Sequence, residues 1–263
     1  MKVFFILSML FLMGETAYEQ TPSTSPAFNY QRDFKTILEK TKDKGGDLYY
    51  QKLLIRFLNN DSSLTRAETL ALMIGFTENA HYKPYDDLGT EKEIFDLNDG
   101  GDYEAALDES KTYLQTHPLS LRILKERSYA YHQIRKADSA QYFMDLVDKV
   151  MGAMIYSGKG KTQDAPIFSL GLIDGEHFIE NAGMTVANKT TTSPKSKILM
   201  YIVDALSDEG THTNYFFILQ HARDKMNEDE IGEEPVTKPK KGKKTKKDNK
   251  PPKAVKDSIP AKE

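Results

Sequence analysis

The chain has 263 residues, of which 39% are hydrophobic and 29% charged. That is enough for one domain of about 200 ordered residues with tails. There is no Cys and no Trp, which excludes disulfides, thiolate nucleophiles and Cys-ligated metals. The formal charge of −3 is unevenly spread: residues 238–263 hold eleven Lys against Asp248, Asp257 and Glu263, a local charge of +8. Residues 1–237 therefore carry −11, the difference between −3 and +8. An acidic body with a basic arm speaks to association rather than to fold.

At the N-terminus, Lys2 precedes the apolar run Val3 to Met13, with the small residues Gly14 and Ala17 after it. Residues 1–17 read as a secretory signal, because the run is short of the roughly 20 residues that span a bilayer. The expected address is the periplasm or the outside of the cell. Residues 18–29, rich in Thr, Ser and Pro, read as a linker.

The spacing predicts a helical region over 30–156. A first helix carries Phe34, Ile37 and Leu38 on one face and stops at Gly45-Gly46. In the second, Tyr50, Leu53, Leu54, Phe57 and Leu58 follow the i, i+3, i+4, i+7, i+8 pattern, and Asn59-Asn60 ends it. Thr65 and Glu68 have capping-box spacing ahead of a third helix running to about Phe76. Residues 77–90 are expected to be a loop.

Four helices are expected over 91–154. Their apolar series includes Tyr103, Ala106, Leu107, Ser110 and Tyr113, then Leu121, Leu124 and Ser128, then Ala140, Phe143, Met144, Val147 and Val150. Ala106 and Ala140 stand 34 residues apart, the period of a tetratricopeptide repeat. Each such helix pair leaves an apolar face that must stack on the next pair.

After Gly158 the period becomes strand-like. Ile167 to Ile173 is a short apolar run, Gly175 to Asn181 a short helix, and Thr185 to Ala187 a brief strand. Lys197 to Ala205 and Thr213 to Leu219 read as an antiparallel pair joined by Ser207 to Gly210. The predicted class is α+β: tetratricopeptide-like helical hairpins to residue 156, then a small antiparallel sheet over 157–228. Beyond about Met226 the acidic and then Lys-rich composition predicts disorder, with 229–263 as a tail.

Several of these stretches together resemble a family. Phe34-x-x-Ile37-Leu38, Tyr50-x-x-Leu53-Leu54, Tyr82-x-Pro84-Tyr85, Gly101-Asp102-Tyr103, Pro118-Leu119-Ser120, Ser157 to Thr162 with Ala165, and Tyr215 to Ile218 are similar to a set of exported bacterial proteins. That set is a domain-of-unknown-function family, and the similarity covers about residues 28–228. The family pattern has Gly-Asp-Gly at 158–160 and a Glu-Tyr pair at 176–177, where this chain has Gly158-Lys159-Gly160 and Glu176-His177. The resemblance implies an exported α+β protein and carries no activity.

The motifs with chemical content are few. Gly160-Lys161-Thr162 matches the end of a phosphate loop, but the first required Gly falls on Ile155 and the stretch follows a helix. A helix C-cap with a left-handed Gly is expected instead. His81, His117, His132, His177, His212 and His221 show no metal-ligand spacing, so no metal and no cofactor is expected. Asp174, Glu176 and His177 are expected to cap the short helix, and no catalytic residue is assigned.

Tyr82, Pro84 and Tyr85 form the candidate binding element. Two aromatics flanking a rigid Pro are suited to gripping a peptide or a sugar, unless both rings pack back over the neighbouring helices. In the tail, Lys240, Lys241, Lys243, Lys244, Lys246 and Lys247 are candidate contacts for an anionic membrane surface or polymer. No aromatic follows residue 237, so base stacking and sequence-specific nucleic-acid binding are not expected. Composition and motifs favour a non-enzymatic protein-interaction or binding module with a protein or peptide partner. The alternative is an envelope hydrolase or carbohydrate-processing enzyme whose site lies between helices and sheet, marked by a cleft of convergent carboxylates.

N-terminal sequencing of the exported chain is expected to begin near Tyr18. Intact Met1 on a cytoplasmic chain would overturn the export reading.

Overall fold

The structure, a computed structural model, describes residues 28–193 and 198–232, with side chains to residue 229. The signal segment and the Lys240 to Lys247 cluster lie outside the described residues. Seven helices precede the first strand among the described residues: α1 (Tyr30–Lys42), α2 (Tyr50–Leu58), α3 (Arg66–Phe76), α4 (Asp87–Asp99), α5 (Tyr103–Thr116), α6 (Leu121–Gln133) and α7 (Ala137–Ser157). Then come β1 (Ile167–Phe168), α8 (Asp174–Asn181), β2 (Thr185–Thr192), β3 (Met200–Leu206), β4 (His212–Ile218) and α9 (Gln220–Gly232).

The starts of the helices are set by local hydrogen bonding. At α3 the Thr65 side chain accepts from Glu68 N while Glu68 Oε2 accepts from Thr65 N, the reciprocal pair that satisfies two orphan amides. Asp102 caps α5 through Ala105 N, and Ser120 caps α6 through Ile123 N.

The ends of α2, α4 and α6 share one geometry. Asp61 N donates to Arg56 O, Asp102 N to Leu97 O, and Lys136 N to Tyr131 O, each at 2.9 Å. Each closes a Schellman turn around a residue with positive φ: Asn60 at 51°, Gly101 at 80° and Arg135 at 60°. Gly101 and Arg135 are 34 residues apart, so the repeat is visible in the turns as well as in Ala106 and Ala140. Arg135 holds a conformation that costs an L side chain roughly 1–2 kcal/mol.

The connectors 100–102, 117–120 and 134–136 turn each of α5, α6 and α7 back on the helix before it, and these consecutive helices pack. Ala106 and Ala140 are both buried. Arg127 is buried between α5 and α6. It donates to the Leu107 carbonyl and to Ser110 Oγ (2.8 Å), and its guanidinium lies over the rings of Tyr131 and Phe143. The long α7 is the spine: it packs on α6, on α3 and on β1. Its Leu146, Val147, Val150, Ala153 and Met154 join Leu53, Phe57, Leu70, Met73 and Ile74 in the main core.

Strand order is β1-β4-β3-β2. The β3–β4 hairpin and the β2–β3 pair are antiparallel, but β1 runs parallel to β4, so the sheet is mixed rather than purely antiparallel. A parallel neighbour requires a long crossover, which α8, β2 and β3 provide. Helix α8 lies against the sheet so closely that a Cβ on Gly175 would sit 2.8 Å from the Phe217 ring.

Other boundaries also differ from the sequence reading. β2 extends to Thr192. The polar run Asn188-Lys189-Thr190-Thr191-Thr192 lacks the apolar alternation that marks a buried strand, yet it suits an edge strand, where most of its residues are exposed. The loop after α3 ends at Asp86 rather than residue 90. Residues 226–232 are helical, not disordered: α9 is anchored by buried His221 and Ala222, and Lys225 pairs with Glu228 and Asp229 one turn on. Gly158 caps α7 in an extended conformation, and it is Gly160, with φ of 69°, that is left-handed. Lys161 then donates to the Tyr215 hydroxyl at 2.6 Å.

One aromatic cluster joins the two ends of the fold. The His221 ring lies 4.6 Å from Phe168, 6.0 Å from Phe34, and 6.1 Å from both Tyr30 and Tyr82. Neither ring nitrogen reaches hydrogen-bond geometry with a partner. Burial pushes its pKa down from 6.5 to about 3, and the nearby Ser169 backbone offsets little of this.

The unfolded histidine takes up a proton below 6.5 and the buried one only near 3. Acidification through that window therefore favours the unfolded chain. His221→Phe is expected to raise stability at about pH 4 by about 1–3 kcal/mol, by removing unpaired buried nitrogens, and to flatten the loss of stability between about pH 6 and 4. Denaturant unfolding across that range measures it, and an unchanged acid slope would refute it.

Candidate functional site

The region between the helices and the sheet-side loop 170–174 holds the two buried carboxylates of the described residues, Glu91 and Asp174. Asp87 and Glu91 are four residues apart on α4 and so share a face. His117 closes α5, Ser120 opens α6, and Asp174 begins α8. Together with Tyr82, Tyr113 and the Leu170-Gly171 backbone they line one cleft.

Glu91 Oε1 accepts from Ser120 Oγ at 2.8 Å and from the Tyr113 hydroxyl at 3.4 Å. Burial raises its pKa, the charge of Asp174 raises it further, and the Ser120 hydrogen bond opposes both. Asp174 is buried, and its Oδ2 accepts from Leu170 N (2.9 Å) and Gly171 N (2.6 Å). Burial raises its pKa, and these amides only partly counter that. The expectation that Asp174 and its neighbours cap α8 is thereby corrected: no side chain caps that helix, and Asp174 closes the loop ahead of it. Glu176 instead accepts from the Tyr201 hydroxyl and pairs with Lys189 at 2.7 Å.

His117 Nε2 lies 2.7 Å from the His81 carbonyl and 3.2 Å from Asp87 Oδ1. Both are acceptors, so Nε2 carries a proton. Burial lowers the His117 pKa, but the hydrogen bond and charge of Asp87, with the His81 and Tyr113 carbonyls, outweigh burial and raise it overall. The ring also stacks on Tyr113 at 4.3 Å.

The sequence-derived binding element is divided by the fold. Tyr82 is 2% exposed, its hydroxyl donates to Leu170 O at 2.9 Å, and its ring packs edge-on to Phe76. Pro84 is buried as well, and Tyr85 alone of the three is exposed. A paired aromatic platform at the surface is therefore corrected to one inward and one outward ring. The physical reason is that Tyr82 fills the gap between α3 and the sheet-side loop and finds a carbonyl for its hydroxyl there. The sequence reading gives no role to Glu91, and it treats Asp87 only as an acid beside the Tyr82–Tyr85 loop and His117 only as a histidine without metal spacing. The i, i+4 spacing of Asp87 and Glu91 is the local signal for two of them, whereas their meeting with Asp174 is long-range.

The cleft leaves about 30 Å³ open to a water-sized molecule. That holds a water or two and no sugar ring. The carboxyl groups that converge there are engaged by the chain's own donors. Among the described residues no group of three or more His, Asp or Glu has metal-binding geometry.

A second concavity lies on the outer face of the repeat helices, between α6 and α7. Lys125, Ser128, Tyr129 and His132 line one wall, and Ala137, Ala140, Gln141 and Met144 the other. It has about 420 Å³ open to a water-sized molecule. Small Ala side chains form the α7 wall, and Ser128 Oγ donates to Ala140 O at 2.7 Å to hold the helices together. Tyr129 is 45% exposed and Met144 37%. Met144, counted from sequence among the packed positions of its helix, is thus on the surface.

Asp174→Asn retains a carbonyl oxygen for Leu170 N and Gly171 N while removing a buried charge. The folded carboxyl has a raised pKa, so its contribution is present below the unfolded value of 3.8 and is lost as pH rises through the folded pKa. The Asn variant is expected to be at least as stable as wild type at neutral pH, while Asp174→Ala is expected to lose about 1–3 kcal/mol by stranding buried amides. Denaturant midpoints of the two variants decide it; an Asn variant as unstable as the Ala variant would refute this account.

No curated protein and no solved structure matches the chain. A family model described as a domain of unknown function, DUF4919, matches residues 35–227. The match runs from α1 into α9, takes in both the cleft and the groove, and places this chain in the DUF4919 family.

Proposed function

We propose that the protein is a non-enzymatic binding module, exported from the cytoplasm, that takes a peptide segment of a partner in the α6–α7 groove. The observation that carries this reading is the groove itself: an open, mostly apolar trough on tetratricopeptide-like helices, with Tyr129 and Met144 exposed in its walls. Exposed aromatic and Met side chains beside a concavity are the usual anchors of peptide recognition. The basic tail, through Lys240, Lys241, Lys243, Lys244, Lys246 and Lys247, adds Coulombic attraction to an anionic membrane surface or polymer.

A second reading, a hydrolase acting in the helix–sheet cleft, has one observation in its favour. Glu91 and Asp174 converge there, each with a raised pKa. Against it, Ser120, Tyr113, Leu170 and Gly171 already occupy those carboxyl groups, and the cleft admits only water.

Panning a displayed peptide library against the full chain tests the favoured reading. The double variant Tyr129→Ser, Met144→Glu alters exposed side chains and is expected to remain within about 0.5 kcal/mol of wild type. Peptides enriched by wild type are expected to be lost by this variant. Equal enrichment by both, or enrichment by neither, would overturn the groove as the binding site.

A further inference from the structure

We infer that the α6–α7 groove is selective for an acidic peptide segment carrying an apolar anchor residue. This rests on the groove being the binding site. Its lining contains two basic side chains, Lys125 and His132, and no carboxylate. Arg135 and Lys136, in the turn joining α6 to α7, add two more at its end. Both are exposed.

That is a local exception in an acidic body. A cavity of about 370 Å³ between the α2–α3 connector and α7 balances Asp145 and Asp148 against Arg66 and Lys149, and one of about 570 Å³ beside Phe28 and Met200 contains Asp164. The helix–sheet cleft contains three acids, Asp87, Glu91 and Asp174.

The basic groups of the groove are not consumed by internal pairing. Among the described residues, Lys125, His132, Arg135 and Lys136 form no side-chain ion pair, and Lys125 acts on Glu180 only at longer range. The acids nearby are engaged: Glu126 accepts from Asn98 Nδ2 at 2.8 Å, while Asp145 accepts from Asn60 Nδ2 at 2.8 Å and from Gln141 Nε2 at 2.7 Å. Asp138 sits in the first turn of α7, where it faces the positive end of that helix. The trough therefore offers apolar contact along Tyr129, Ala137, Ala140 and Met144, with positive charge at its wall and end. The complementary ligand has an apolar side chain for the trough and carboxylates on either side of it. Such charge complementarity sets specificity and association rate more than it sets raw affinity.

The test uses a fluorescein-labelled decapeptide of Glu and Asp with a central Leu-Leu pair, with binding to the full chain read by fluorescence anisotropy. Two control peptides replace the acids with Lys or the Leu pair with Ser. The Ser control is essential, because the Lys-rich tail attracts any acidic peptide and is identical in every protein variant. The acidic Leu peptide is expected to bind about tenfold more tightly than either control. Its advantage over the Lys control is expected to shrink as salt rises. Lys125→Glu is expected to weaken the acidic Leu peptide several-fold while leaving the acidic Ser control, held by the tail alone, unchanged, and the Tyr129→Ser, Met144→Glu variant is expected to abolish the advantage over the Ser control.

If the Ser control binds as tightly as the Leu peptide, the tail alone is responsible and the inference fails. If the Lys control binds equally well and the double variant still loses binding, the groove is a peptide site without acidic selectivity. The inference then fails while the binding-module reading survives. If no peptide responds to the double variant, both fail together.

Discussion

The fold depends on one aromatic contact centre. His221 from α9 meets Tyr30 and Phe34 from α1, Tyr82 from the loop after α3, and Phe168 from β1. Tyr30 and Phe34 belong to the first helix and His221 to the last of the described residues, so the cluster closes the helical part onto the sheet. An uncharged imidazole among rings packs as an aromatic, at the cost of desolvating its nitrogens. The same arrangement explains why Tyr82 is drawn inward. Its ring completes the cluster and its hydroxyl ties the helical side to the Leu170 carbonyl.

Around that centre the polar groups are arranged for closure. Asp174 holds the amides of Leu170 and Gly171, Ser157 Oγ accepts from Phe168 N, and Glu91 binds Ser120 and Tyr113. Each bond joins segments distant in sequence or pins a loop that carries a core residue. Buried carboxyl groups that are each satisfied by two donors, in a space that admits only water, have the character of a structural seam. Raised pKa values follow from burial in such a seam as readily as from catalytic tuning.

The outer face follows a different logic. Schellman turns at Gly101 and Arg135 repeat the same helix reversal at a 34-residue interval, and Ala106 and Ala140 repeat the same close packing. After α7 the chain turns into the sheet instead of adding another hairpin, so the α6–α7 surface is left without a further helix to cover it. Met144 and Tyr129 remain exposed there.

Local patterns determined much of this protein. The apolar spacing of Tyr50 to Leu58, the Thr65–Glu68 capping box and the 34-residue interval each act within a turn or a repeat, where sequence distance and spatial distance agree. The class and the helical-hairpin order were therefore legible in the amino-acid order, as was the β3–β4 hairpin with its Gly210 turn. What lay beyond reach was whatever depends on long-range pairing. The parallel seat of β1 beside β4, the edge position that lets β2 run to Thr192, and the helix from Gln220 to Gly232 all rely on partners far away in the chain. The site followed the same division. Residue types could mark Tyr82 and Tyr85 as a pair, but burial is a property of the assembled core. Only the tertiary structure turned one ring into the aromatic centre, brought Glu91 to Asp174, and left Met144 in the open, because side-chain direction is decided by what packs against the helix and not by helical period alone.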